Sequence, residues 1–262
     1  MNILLVFATK PEWEPWSKNV PWVRSPKIQW PFYTLEGSLF SLPSHFKFFL
    51  AQTGIGYESI SRKTSSFEQI LTGQKPDLVL HLGVSGALTP LLKEGDLVLP
   101  THVLASDEKN LPCDGVYGKL MEDVLMESKT PFFKGLLFSS KFVLADADAK
   151  RCVGEDTQAL AVDMETYWMA QICEKVRVRF VALRGIFDAV DTDLTQLGDA
   201  GLVCSNGDIN RKGLIKNLIS KPKLLLSLPQ FRKTMNLANS RLFTVTNTFL
   251  TKLAQVGTLP AL

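Results

Sequence analysis

Four acidic side chains in this 262-residue chain stand beside short apolar runs or the starts of helical patterns. Glu12 closes Ala8-Thr9-Lys10-Pro11-Glu12, just after the first apolar run. Asp163 and Glu165 flank a methionine in Ala161-Val162-Asp163-Met164-Glu165, and Asp188 follows Arg184-Gly185-Ile186-Phe187. A carboxyl group held in place can give or take a proton, an effect of about 10²–10⁴-fold in rate. Singly, each residue has a plainer account. Glu12 and Asp163 suit the first turn of a helix, where the dipole favours acids. Asp188 suits a helix cap, and Met164 suits a core. Two glycine-bearing segments accompany the acids, Thr53-Gly54-Ile55-Gly56 and Gly83-Val84-Ser85-Gly86-Ala87. Glycine there permits positive φ and lets backbone approach a ligand closely. Neither segment fits the dinucleotide-binding fingerprint.

The elements that must position these residues are legible from periodicity. Residues 3–8, 46–52, 77–82, 96–99 and 178–184 are short apolar runs, predicted as strands buried on both faces. Residues 59–71 and 164–176 carry apolar side chains at helical spacing, and Pro76 stops the first. Alternation of strands and helices predicts an α/β fold with a mostly parallel sheet. Ligands of such sheets bind beyond the carboxyl ends of strands. Both glycine segments, read as turns, and Asp188 fall at such ends. The chain shows no internal repeat and no low-complexity linker.

Composition narrows the classes. With 45% hydrophobic residues the chain can bury a large core, and a single α/β domain of this length is ordinary. Cys113, Cys152, Cys173 and Cys204 lie far apart, which predicts unpaired, reduced thiols. His45, His81 and His102 are equally scattered, so no metal site is expected. No targeting segment and no stretch of ~18 apolar residues is visible, which makes a cytoplasmic protein the expectation. Residues 205–262 hold nine Lys or Arg and only Asp208, whereas the preceding 204 residues hold 20 basic and 25 acidic side chains. A basic tail on a mildly acidic body is therefore expected, with residues 1–204 forming the α/β domain and 205–262 a basic helical extension on or beside it.

Three segments carry a family resemblance. Pro76-Asp77-Leu78-Val79-Leu80-His81-Leu82-Gly83-Val84-Ser85-Gly86-Ala87-Leu88, continuing through Lys93-Glu94-Gly95-Asp96-Leu97-Val98, is similar to the signature of the nucleoside phosphorylase and nucleosidase superfamily. So are Ala161-Val162-Asp163-Met164-Glu165 and Leu183-Arg184-Gly185-Ile186-Phe187-Asp188. The resemblance spans about residues 1–195 and implies a three-layer fold, a mixed, mostly parallel twisted sheet flanked by helices. It implies that Asp188 protonates a purine at N7, and that Met164 and Glu165, beside Asp163, hold the ribose. Phe142 and Val143 would lie around the base, and Gly83, Val84 and Ser85 would also contact the substrate. In the hydrolytic branch, the methylthioadenosine/adenosylhomocysteine nucleosidases, the carboxylate matching Glu12 activates water. The chemistry agrees, since glycosidic cleavage builds oxocarbenium character on the sugar and negative charge on the base.

Water is favoured over phosphate as the second substrate. Phosphorylases of the family carry an arginine two residues before the Gly83 position, where His81 stands, and residues 8–20 contain no arginine. Val84 replaces a serine common there. The expected activity is hydrolysis of a 5′-modified purine nucleoside, with phosphorolysis and a non-catalytic nucleoside-binding paralogue as alternatives. No cofactor and no nucleic-acid partner are implied, and the resemblance suggests a homo-oligomer. Residues 161–165 and the tail around Asn206-Gly207-Asp208 and Lys221-Pro222 are most similar to hopanoid-pathway phosphorylase-like proteins, whose nucleosides carry a large lipid at the 5′ carbon. Trp13, Trp16, Trp22, Trp30 and Phe32 would line an apolar 5′ pocket, or else pack on the sheet or an interface. The tail, divided by Pro222 and Pro229 into short helices, would pack against the sheet with a solvated basic face, or contact anionic membranes.

Overall fold

The computed structural model describes residues 1–35, 45–106, 108–195 and 223–256. The five apolar runs become β1 (Asn2–Phe7), β4 (Lys47–Gln52), β5 (Leu78–Ala87), β6 (Leu97–Leu104) and β10 (Arg179–Asp188). Between them lie β2 (Trp22–Arg24), β3 (Phe32–Leu35), β7 (Leu111–Pro112), β8 (Phe132–Ser139) and β9 (Ala159–Asp163). The helices are α1 (Lys10–Asn19), α2 (Tyr57–Gln74), α3 (Gly115–Glu127), α4 (Ala147–Thr157), α5 (Thr166–Val176) and α6 (Lys223–Val256).

One sheet runs β2-β3-β4-β1-β5-β9-β8-β6-β10, and β10 also pairs with β5, so five strands close into a ring. The central pairings β4–β1, β1–β5, β5–β10, β6–β8 and β8–β9 are parallel. The ring is closed by antiparallel pairs, Gly86 with Val162 and Arg184 with Val98. Alternate residues of each central strand feed two cores. Leu5, Leu80 and Leu183 face α1, α3 and α6, whereas Val6, Val79 and Ala182 face α2 and α5. Helices on both faces of a sheet buried on both sides give the three expected layers.

Two expectations about elements are corrected. Residues 83–86 form no turn, because β5 runs straight through them, pairing Gly83 with Arg184 and Ser85 with Ile186. Pairing with β10 along the stretch, joined by β9 at Gly86, outweighs the weak strand preference of glycine. Nor does Pro229 split the tail, because α6 is continuous around it. Proline costs a helix one hydrogen bond and a clash with the preceding turn. Further along, Ala238, Leu242, Val245, Phe249, Leu250 and Leu253 are fully buried and hold the helix to the sheet.

The apolar face of α6 is thus spent on the core. Arg241 donates to the Gly95 carbonyl at 2.6 Å, and Lys252 pairs with Glu127. Within residues 223–256 the helix therefore lies packed against the sheet. The expected domain boundary at 204 lies outside the described residues, as do Asn206, Gly207, Asp208, Lys221 and Pro222. Among the described residues no helix is long and apolar enough to cross a membrane. Cys113, Cys152 and Cys173 are free thiols, and Cys204 lies outside the described residues.

The aromatic cluster near the start of the chain packs on the sheet. Trp16 packs tilted on Phe7 and edge-on to Phe243, and Trp30 packs tilted on Phe67 and edge-on to Phe32. Trp13, Trp16 and Phe32 are buried, because large apolar rings gain most from leaving water. These residues belong to the core on the two faces and do not form the wall of a 5′ pocket.

Candidate active site

A cavity of about 280 Å³ opens at the carboxyl ends of β1, β5, β9 and β10. Glu12, Val84, Ser85, Phe142, Val143, Asp163, Met164, Glu165 and Asp188 all line it. Gly83, expected there, does not. A Cβ on Gly83 would collide with Arg184 Nη1 and lie 2.6 Å from Glu12 Oε1. Its missing side chain is the space into which a guanidinium and a carboxylate converge behind the cavity.

Glu12 is the third residue of α1, and its Oε2 accepts from the Thr9 N–H at 2.6 Å, capping the helix start. The plainer account of Glu12 is therefore true of one oxygen. The other, Oε1, accepts from the Val84 N–H at 3.1 Å and so ties α1 to β5 at the cavity floor. Burial raises the Glu12 carboxyl above the ordinary range, and the nearby Arg184 opposes the rise.

Glu165 stands at the cap position of α5, and its Oε1 accepts from the Gly56 N–H at 2.5 Å. Gly56 has φ +84, a conformation that glycine adopts without strain, so the first glycine segment is a true turn. Burial first, and then the charge of Asp163, raise the Glu165 carboxyl. Asp163 differs. Its oxygens accept from Ser139 Oγ at 2.5 Å and from the Thr166 N–H and hydroxyl, and pair with Arg184 Nη2 at 2.7 Å. Asp163 lines the cavity but its carboxylate is engaged by the protein.

Asp188 ends β10 with both oxygens about 3.0–3.1 Å from the place a Cβ on Gly86 would occupy. Its Oδ2 is paired with Lys150. Burial raises its carboxyl, and the Lys150 ammonium opposes the rise. The Ser85 hydroxyl, also buried, has no hydrogen-bond partner among the described residues. Phe142 is 77% exposed at the cavity mouth.

Sequence reasoning gave no role to Arg184, His81, Lys150 or Met235. Arg184 is fully buried and donates to Thr166 Oγ1 and to the ring of His81 at 3.2 Å. Burial and this cation hold His81 well below the ordinary histidine range, so it is neutral. A charged or polar residue inside a continuous apolar strand must find a partner, and this signal was present for both. Met235 of α6 reaches the cavity wall, and Phe231 of the same helix stacks on Phe187 at 5.6 Å.

A family model described as the phosphorylase superfamily matches residues 18–219. The chain belongs to that superfamily. The phosphorylase-superfamily match begins after Glu12, which the capping geometry of α1 brings back to the same cavity. Among relatives, a 5′-methylthioadenosine/S-adenosylhomocysteine nucleosidase of Buchnera aphidicola subsp. Schizaphis graminum is 23% identical over 190 residues, covering 66% of this chain and 79% of that protein. The nucleosidase of that name from Staphylococcus epidermidis is 24% identical over 162 residues, covering 55% and 70%. In structure, a mutant of the Helicobacter pylori nucleosidase with 5′-methylthioadenosine in its active site superposes with a TM-score of 0.71 at 17% identity, over 96% of this chain and 99% of that one. A futalosine hydrolase mutant from Helicobacter pylori gives 0.68 at 15% identity, over 97% and 100%. These likenesses establish the superfamily fold.

Proposed function

We propose that this enzyme is a nucleosidase that hydrolyses the N-glycosidic bond of a 5′-modified purine nucleoside. The observation that carries the choice of water is the composition of the cavity wall. Among the described residues four carboxylates line it and no Lys or Arg does. A phosphate needs cations or a fork of donors, and Arg184 and Lys150 are turned to Asp163 and Asp188 instead. Water needs only a base.

In this reading Asp188, whose carboxyl burial raises above the ordinary range, gives its proton to N7 of the departing base as the bond to C1′ breaks. Water adds to C1′ and passes a proton to Glu12, so the products are free base and free sugar. Glu165 accepts hydrogen bonds from the ribose hydroxyls and Met164 packs on the ring. Phe142, Val143, Val84 and Ser85 border the base. Pro11, Ile55, Leu144, Phe187, Leu194 and Met235 add apolar wall, which suits an apolar 5′ substituent. The names of the relatives, nucleosidases and a futalosine hydrolase, support the reaction class.

The test is a panel of methylthioadenosine, adenosylhomocysteine, futalosine and an adenosine with a long alkyl group at the 5′ carbon, each with and without phosphate. Release of free base and reducing sugar at equal rates in both buffers is the expected result. Turnover that requires phosphate and yields a sugar 1-phosphate would overturn it.

A further inference from the structure

Among the described residues Lys150 is the one fully buried lysine, at 0% exposure. It lies in the first turns of α4, away from any apolar strand run. An ammonium group taken out of water is costly unless each proton finds an acceptor. Lys150 finds three: Asp188 Oδ2, the Ala189 carbonyl at 3.2 Å and the Thr192 carbonyl at 2.8 Å. One side chain therefore grips an oxygen of the acid and the backbone of the segment that follows it. With Oδ2 held, Oδ1 is the oxygen left for a ligand.

We propose that Lys150 is the positioning residue of the acid: it fixes the Asp188 carboxyl in the orientation that protonates the base, and stabilises the carboxylate left once the proton has gone. The inference rests on the reading of Asp188 as that acid. The other charged groups around the pair are Glu94, held by Gln230 and Thr234 of α6, and Asp193. An outer pair, Arg151 with Asp191, ties α4 to the same segment without touching Asp188. Burial and Glu94 both favour the protonated acid, and Lys150 is the group that opposes them. Without the ammonium the acid becomes weaker, and a limb set by its ionisation moves to higher pH.

The experiment measures kcat, KM and the pH profile of Lys150→Met, Lys150→Arg, Arg151→Met, Asp188→Asn and the Lys150→Met/Asp188→Asn double variant. Lys150→Met should lower kcat at least about tenfold, leave KM within about threefold, and shift the alkaline limb upward. Lys150→Arg keeps the charge but not the placement of a compact ammonium, so kcat should fall while the limb stays. Arg151→Met should keep the wild-type limb. In the double variant Lys150→Met should cost less than about threefold beyond Asp188→Asn, because the two act as one unit. Wild-type kcat in Lys150→Arg overturns the positioning role, and this variant decides alone should Lys150→Met not fold. An unshifted limb in folded Lys150→Met overturns the electrostatic half. Near-wild-type turnover in Asp188→Asn would instead remove the reading of Asp188 itself.

Discussion

Asp163 and Glu165 differ by one methylene and two positions, yet their surroundings separate them. Asp163 pairs the fully buried Arg184 and caps the start of α5 with Ser139 and Thr166. Asp163→Asn leaves a buried guanidinium without its counter-charge, a change that costs about 3–5 kcal/mol. Urea unfolding should show the loss, and a stability within error of wild type would contradict the assignment. Glu165 accepts a hydrogen bond from the Gly56 N–H and faces the cavity. Glu165→Gln should leave the fold intact and raise KM for ribonucleosides, since a hydrogen bond to a charged group contributes about 1.5–3 kcal/mol. If wild type binds 2′-deoxynucleosides as tightly as ribonucleosides, Glu165 does not hold the hydroxyls. In the sequence these two acids looked alike, because residue type carries no information on which side chain turns inward. Glu12, Glu165 and Asp188 were singled out as candidates by the order of their segments and the family resemblance those segments carry. Lys150 was not, because a lysine between Asp148 and Arg151 on a polar helix reads as solvated.

The strand β5 shows what periodicity conveys and what it omits. Its apolar half was plain, but its last five residues were read as a turn because glycines there suggested one. The partners that keep it extended, β10 and β9, are about 75 to 100 residues away in sequence. Gly83 serves as the gap where Glu12 and Arg184 converge. Gly83→Ala should therefore push both groups from their places, lowering kcat more than stability. A comparison of kcat with the unfolding midpoint decides it; full activity with a lowered midpoint would show that the gap serves packing only. Helix α6 was under-read for a different reason, because Pro229 suggested a break where the helix runs on. Leu242, Val245 and Phe249 recur at helical spacing and bury completely. The family resemblance covered residues 1–195 and offered no help with a helix beyond them.

At the scale of the molecule, burying several acids together ties stability to pH. Glu12, Glu165 and Asp188 are all raised, chiefly by burial. A group whose folded pKa exceeds its unfolded value adds stability in full below the unfolded pKa and loses it as pH rises through the folded one. The ligand-free protein should thus lose stability as pH climbs above the ordinary carboxylate range, and Glu165→Gln should flatten that slope. Melting temperatures of both proteins from about pH 4 to about pH 9 test this; parallel curves would show that Glu165 titrates no differently when folded. The three-layer, mostly parallel plan was legible because strands buried on both faces are continuously apolar. The ring was not, because its antiparallel closures leave no mark on periodicity. That ring has a consequence in time. Its last strand in chain order, β10, enters between β5 and β6 and occupies an edge of each. Until residues 179–188 have been synthesised, those two edges stand open with unpaired N–H and C=O groups, a template for pairing between chains. The strand that protects the growing chain from its neighbours also delivers Asp188, so the cavity gains its acid at the same moment that the nascent sheet ceases to be adhesive.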